Sequence, residues 1–204
     1  MSFNILEITG WRWVKEMALT SIHKKSIEGK EITSKWKFDI LMSRHSPIRE
    51  LTIRIKADEM KRWIADQIVR HVIGTQSSMG TMRTDRGSKP RSEQTMEDLT
   101  CLYQSYNAES FINMMETRLC VGCVSKETRE IVEALRDEVE KVEPELAYMC
   151  VPSCVSRGGC KESFTKCEHF SNFVKWYIDM FYPEFNLVHL GARYEAYHVW
   201  RRLK

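Results

Sequence analysis

The sequence predicts an α+β fold, and three observations carry the prediction. Leu51-Thr52-Ile53-Arg54-Ile55-Lys56 alternates apolar and polar residues at period two, the mark of a half-buried strand. Other stretches repeat their apolar residues at helical spacing, most clearly from Lys126 to Val142. The chain has 204 residues, 43% hydrophobic and 29% charged, with nine Gly and five Pro, enough apolar material for a core and too few breakers for disorder or low-complexity repeats. Lys and Arg total 31 against 28 Asp and Glu, a net charge of +3, so any polyanion-binding surface must be local, which argues against nucleic acid as the main partner.

Trp11, Trp13, Val14, Met17, Leu19 and Ile22 suggest a first helix, ending in a turn-like Glu28-Gly29-Lys30. Met1 to Lys30 lacks an apolar core followed by a small-residue cleavage site, and no stretch reaches the roughly 20 apolar residues of a membrane span. A cytoplasmic protein without membrane contact is expected. After the strand, Asp58 is placed to cap a helix to Ile73, with Met60, Trp63, Ile64, Ile68 and Val72 on its apolar face and Gly74 as its stop. A polar loop, Thr75 to Met82, leads into Arg83, Arg86, Lys89 and Arg91. A second helix is predicted from about Asp98 to Leu119 on the spacing of Leu102, Phe111, Met114 and Met115. The third covers Lys126 to Val142, capped by Ser125, with Ile131, Leu135, Val139 and Val142 as its stripe and Pro144 as its end. Phe170, Phe173, Val174, Tyr177 and Phe181 mark a last amphipathic helix closed by Tyr182-Pro183. Beyond it, Tyr194, Tyr197, Trp200, Arg201 and Arg202 suit either subunit contact or simple packing.

Three groups of residues could carry chemistry. Gln67, Arg70 and His71 recur at spacings of three and four, and with the loop hydroxyls and Arg83 they form a cradle for an anion or nucleotide. Taken alone, Arg70 and His71 read first as solvated residues at a helix end, where cations favour the C-terminal dipole. Asn107, Phe111, Met114 and Arg118 share a stripe, so Arg118 either reaches a pocket where negative charge develops or snorkels to water or an internal acid. The seven cysteines include Cys120-x-x-Cys123, then Cys150, Cys154, Cys160 and Cys167 at gaps of three, five and six residues. Four thiolates suit tetrahedral zinc, with Cys123 and His169 as spare ligands, and buried or free thiols are the alternative.

These segments resemble the flavin-dependent thymidylate synthases. Arg44-His45-Ser46-Pro47, the strand, Gln67-Ile68-Val69-Arg70-His71 and a hydroxyl-rich loop to Thr81-Met82-Arg83 are similar to that family's Arg-His-Arg at a helix end and its following Ser-x-Arg. Asn107-Ala108-Glu109-Ser110-Phe111-Ile112-Asn113, with Arg118 five residues on, resembles its Asn-Ala-Arg helix. The resemblance covers residues 40 to 135. It implies an antiparallel sheet flanked by long helices, with FAD, NADPH and methylenetetrahydrofolate serving the reductive methylation of dUMP to dTMP, or a variant one-carbon transfer, in a homotetramer with shared active sites. On the family pattern, Arg70, His71, Asn107 and Asn113 contact the flavin, and Gln67, Arg70, Thr81 and Arg83 hold the nucleotide. Arg118 favours the ionised uracil ring.

Some positions depart from the pattern. Val72 takes the third place of Arg-His-Arg, and Ser78 or Met79 takes that of an acid. Glu109 replaces a flavin-binding Arg, and Glu50 replaces a His. A long segment ending in a nucleotide-binding Arg is shortened to Thr84–Tyr106, leaving Arg86, Lys89 or Arg91 as its cation. Some members also carry a Cys after the active-site Arg and a Cys-rich tail. That implies a structural zinc on Cys120, Cys154, Cys160 and Cys167, pinning the tail beside the active-site helix. The expected division is a flavin- and nucleotide-binding α+β domain, 1–145, with a Cys-rich C-terminal extension and final helix, 146–204, packed on it. The alternative function is a zinc-stapled nucleic-acid- or nucleotide-binding module without catalysis.

Overall fold

The computed structural model describes residues 2–26, 31–86, 89–163, 167–181 and 188–203. In chain order the elements are β1 (Ser2–Thr9), α1 (Trp11–Ser21), α2 (Ser34–Ser43), β2 (Thr52–Lys61), α3 (Arg62–Ile68), β3 (Thr75–Met79), β4 (Leu99–Asn107) and α4 (Ala108–Arg118). They continue with α5 (Lys126–Val142), α6 (Pro144–Tyr148), α7 (Ser153–Arg157), α8 (His169–Phe181) and α9 (Leu190–Arg202). Two compact units share them: 1–33 with 44–111, and 34–43 with 112–204.

The first unit is built on an antiparallel sheet of order β1-β2-β4-β3. The predicted strand is its centre. Ile53, Ile55, Ala57 and Met60 of β2 all point inward and are buried, and the irregularity after Ala57, with Glu59 at φ 57°, lets both Ala57 and Met60 face the core. That continuation overturns the expected Asp58 cap: Asp58 lies in β2 and α3 begins at Arg62. The first N–H groups of α3 are instead bonded by a neighbouring loop, Arg62 N to Asp98 O at 3.0 Å and Trp63 N to Met96 O at 3.1 Å.

Three further strands correct the sequence reading. β1 precedes the first helix, and a register shift between Ile5 and Glu7 breaks its alternation. β3 occupies the expected polar loop; its five residues, Thr-Gln-Ser-Ser-Met, hold their place through backbone pairing with β4. β4 replaces the first half of the expected second helix. Its inward residues are Thr100, Leu102, Gln104 and Tyr106, so polar side chains at half of the buried positions mask period two. The Tyr106 hydroxyl donates to Gln104 Oε1, and Gln104 Nε2 donates to Ser77 Oγ at 3.0 Å, so this amide is satisfied inside the sheet.

In the second unit α5 has its predicted bounds, and Ser125 Oγ accepts from Thr128 N at 3.2 Å as the predicted cap. Its buried stripe is Val132, Leu135 and Val139, whereas Ile131 is half-buried and Val142 exposed. Pro144 opens α6 directly after α5. Lys37 of α2 pairs with the buried Glu143 at 2.9 Å. α8 has the predicted helical character, and the C-terminal aromatics pack against it, with Phe173 5.7 Å from Tyr197 and 5.4 Å from Trp200, ring centre to ring centre. Glu28-Gly29-Lys30 and Tyr182-Pro183 lie outside the described residues. Among the described residues no helix is long and apolar enough to cross a membrane.

Candidate functional site

The end of α3 docks on the start of α4. The chain leaves the helix at Val69 and reverses at Gly74, whose φ of 66° lies in the left-handed region. Gly74 O accepts from Asn107 N at 3.0 Å, and Ile73 O accepts from Ser110 Oγ at 2.5 Å. Asn107 caps α4, its Oδ1 accepting from Ser110 N at 2.9 Å. A Cβ on Gly74 would stand 2.3 Å from Asn107 Nδ2 and 2.4 Å from Ser110 Oγ, so the approach admits only glycine. Two segments far apart in sequence, Arg70–Gly74 and Asn107–Ser110, thereby form one junction.

Around that junction Arg70 is exposed, and Gln67 and His71 are half-buried. Arg70 and His71 follow the last residue of α3, so the three do not share a helical face. Val72 is 73% exposed, which corrects its placement on an apolar helix face, and Ile73 is 87% exposed. Glu109, in the first turn of α4, receives a two-point contact from Arg49, with Nε to Oε2 at 2.6 Å and Nη2 to Oε1 at 3.3 Å. Hydrogen bonding to Glu109 raises the Arg49 pKa. A guanidinium therefore stands beside the position where the family pattern has its arginine. Asn113 is exposed further along α4, whereas Phe111 and Met114 of the predicted stripe are core residues.

Thr81, Arg83 and Arg86 lie past the far end of β3, separated from the junction by that strand's length, roughly 15 Å at about 3.3 Å per residue. Ser78 is exposed on β3, in register with Tyr103. Thr81 and Arg86, with Arg62, Lys89 and Asp98, line a cavity of about 390 Å³. Arg62 Nη2 donates to Gly80 O at 2.6 Å and holds the start of the loop. Lys89 Nζ lies 2.7 Å from Asp98 Oδ1, and hydrogen bonding to Lys89, followed by that from the Thr95 backbone, lowers the Asp98 pKa. Arg83 points its fork at its own loop: Nε to Asp85 Oδ1 at 3.0 Å and Nη2 to Asp85 Oδ2 at 2.7 Å. Arg49, Arg62 and Ser110 escaped the sequence reading. Ser110 alone had a signal, three residues after a capping Asn.

No family model matches the sequence, and no curated protein matches it significantly. Solved structures do. A flavin-dependent thymidylate synthase, ThyX, from Helicobacter pylori, complexed with FAD and dUMP, aligns at TM-score 0.59 and 16% identity, covering 74% of this chain and 100% of that one. A second structure of the Helicobacter pylori enzyme with the same two ligands aligns at TM-score 0.57 and 17% identity, covering 74% of this chain and 97% of that one. The UMP/dUMP methylase PolB from Streptomyces cacaoi, bound with 5-Br dUMP, aligns at TM-score 0.55 and 10% identity over 72% of this chain and 93% of that one. The chain has the flavin-dependent thymidylate synthase fold.

In this ThyX-like fold the second unit holds the remaining predicted residues. Arg118 closes α4 and is half-buried. Two residues on, Cys120 is buried, whereas Cys123 is exposed; partial desolvation, with Cys120 and Glu162 nearby, pushes the Cys123 thiol up to about 12. Burial likewise pushes Cys154 up to about 12, with Cys120, Cys167 and Cys160 adding to the shift. Among the described residues no group of three or more His, Cys, Asp or Glu side chains is placed to hold a metal ion. His198 is a buried structural histidine: Nε2 donates to Tyr148 O at 2.8 Å, Nδ1 accepts from Arg201 Nε at 3.1 Å, and burial lowers its pKa to about 4.

Proposed function

We propose that this protein binds FAD and a pyrimidine deoxynucleotide and carries out the reductive methylation of dUMP, taking its carbon from methylenetetrahydrofolate and its reducing equivalents from NADPH. The observation that carries the reading is the junction, where the Arg70–Gly74 turn and the Asn107-headed helix, each matched to the family separately, are bonded to one another. The fold is shared with proteins solved with FAD and dUMP.

The residues suit the groups they would hold. Val72 and Ile73 present exposed apolar surface beside Arg70 and His71, fit for a ring system bearing phosphates. Around the far cavity, Arg62, Arg86 and Lys89 supply cations for a nucleotide phosphate, and Arg83 joins them by exchanging Asp85 for it. Bound FAD supplies the hydride chemistry. Arg70, His71, Asn107 and Asn113 hold it, and Gln67, Thr81, Arg83 and Arg86 hold the nucleotide. Arg118 lowers the cost of negative charge on the pyrimidine, which activates C5 without an enzyme nucleophile. Because β3 separates the two groups of residues, a homotetramer that sets the loop of one copy against the junction of another completes the site.

Tritium release from dUMP labelled at C5, measured with all cofactors present, tests the reading. Arg118→Ala is expected to lower turnover about a hundredfold or more while FAD stays bound. Wild-type turnover in that variant removes Arg118 from the mechanism, and absence of release by the wild-type protein removes the activity. A nucleic-acid module gripping its ligand through residues 83–91 has less support, since the net charge is only +3 and the cations there are confined to one short loop.

A further inference from the structure

One side of α8 is buried and the other is open. Phe173 and Tyr177 point into the second unit, where Phe173 meets Tyr197 and Trp200. Around the helix from them runs a second apolar row, Phe170, Val174 and Ile178, at a spacing of four residues. This row faces outward: Phe170 and Val174 are half-buried, Ile178 is 49% exposed, and Phe181, which extends the row three residues on, is 42% exposed. Beside it Ser171, Lys175 and Asp179 form a parallel row, and the two rows border an open groove of about 450 Å³. Single exposed apolar side chains are ordinary, but a continuous row of them along a groove is a contact surface left without its partner.

Charge identifies that partner. Lys175 and Asp179 are exposed, and neither makes a hydrogen bond or an ion pair among the described residues. Within one helix, Lys four residues before Asp is the weaker order of such a pair. Between two helices the same spacing is self-complementary. A second α8 related by a twofold axis runs antiparallel, so Lys175 of each copy stands near Asp179 of the other and Val174 stands against Ile178. One operation satisfies both rows. We infer that α8 carries a twofold contact between two copies of this chain, the Phe170-Val174-Ile178 ridge of each entering the groove of the other. Ridges of spacing four set into grooves of the same spacing form the commonest class of helix crossing, and a patch complementary to itself closes as a pair. The contact lies wholly in the second unit, uses no residue assigned to FAD or nucleotide, and stands apart from the assembly that would complete the flavin site.

The test is sedimentation equilibrium of the full chain at low ionic strength, where charge pairing is least screened. Wild-type protein is expected to associate in even-numbered assemblies. Ile178→Asp places a charge in the apolar row at an exposed position, so the far-UV circular dichroism should stay as in the wild type while the assembly mass falls by half. Lys175→Glu and Asp179→Lys each set like charges against one another at both ends of the contact, and each should weaken association about tenfold or more. Mixed in equal amounts, these two variants should associate with one another as tightly as the wild type does with itself, and the double variant K175E/D179K should regain self-association. Restoration requires that positions 175 and 179 of different copies meet, which an unrelated partner on this face does not predict. A monomeric wild-type chain overturns the proposal, whatever else its α8 face binds. An unchanged mass in Ile178→Asp overturns it too, as does a mixture of the two reversed variants that fails to associate. None of these readouts involves flavin, so their outcome is separate from that of the proposed activity.

Discussion

The two ends of β3 are held by different forces. At the Thr75 end, backbone carbonyls of Ile73 and Gly74 bond to Ser110 and Asn107, with no room for a side chain on Gly74. At the Met79 end, exposed ion pairs, Arg83–Asp85 and Lys89–Asp98, hold a cation-rich loop around an open cavity. The first arrangement is rigid and steric. The second is a set of charges whose partners an incoming anion can replace, since exposed ion pairs contribute only about 0–1 kcal/mol each. Binding at the junction should therefore depend on shape, and binding at the loop on charge and salt.

The largest effect is expected at Gly74. Gly74→Val pushes a side chain into Asn107 and Ser110 from a left-handed backbone position, so denaturant unfolding should show a loss of about 2–4 kcal/mol, with FAD affinity falling more than tenfold. Normal FAD binding in that variant breaks the claim that the junction forms the flavin site. Ser110→Ala removes the bond to Ile73 O but leaves the Asn107 cap, and about 1 kcal/mol of stability should go with it. At the loop, Asp85→Ala frees Arg83 from its internal partner, and dUMP should bind a few-fold more tightly with no change in unfolding free energy. Unaltered or weaker dUMP affinity would show that Arg83 does not meet the phosphate. The smallest effect is the pH response of the 89–98 loop. Asp98 has a lowered pKa, so the bond to Lys89 is fully present above the ordinary carboxylate range and is lost as pH falls through the lowered value. Amide hydrogen exchange of residues 89–98 should rise across that acid window while the junction amides stay protected.

Sequence legibility followed the same divide. β2 was readable as far as Lys56 because its buried face keeps period two until the irregularity after Ala57, and α5 because its apolar residues recur at helical spacing and the Ser125 cap announces its helix. β4 was hidden because Thr100 and Gln104 occupy core positions, and β1 because its register slips after Ile5. β3 has almost no apolar residues, so it exists only as a partner of β4, which local pattern cannot reveal. Of the site, Asn107 and the Arg70-His71 turn were visible as family motifs, but their contact depends on Gly74 and Ser110, which carry no chemistry of their own. The Asp85 grip on Arg83 is local, two residues apart, yet nothing in the residue order distinguishes a paired guanidinium from a waiting one. The distance between junction and loop is a property of topology alone.

The flavin claim is most directly tested by adding FAD to purified protein, measuring bound flavin per chain, and recording the flavin absorption before and after dUMP. Saturable binding of FAD and a dUMP-dependent shift of its bands, both lost in Gly74→Val, are expected. A protein that takes up no FAD, or whose bound flavin is indifferent to dUMP, contradicts the proposed function.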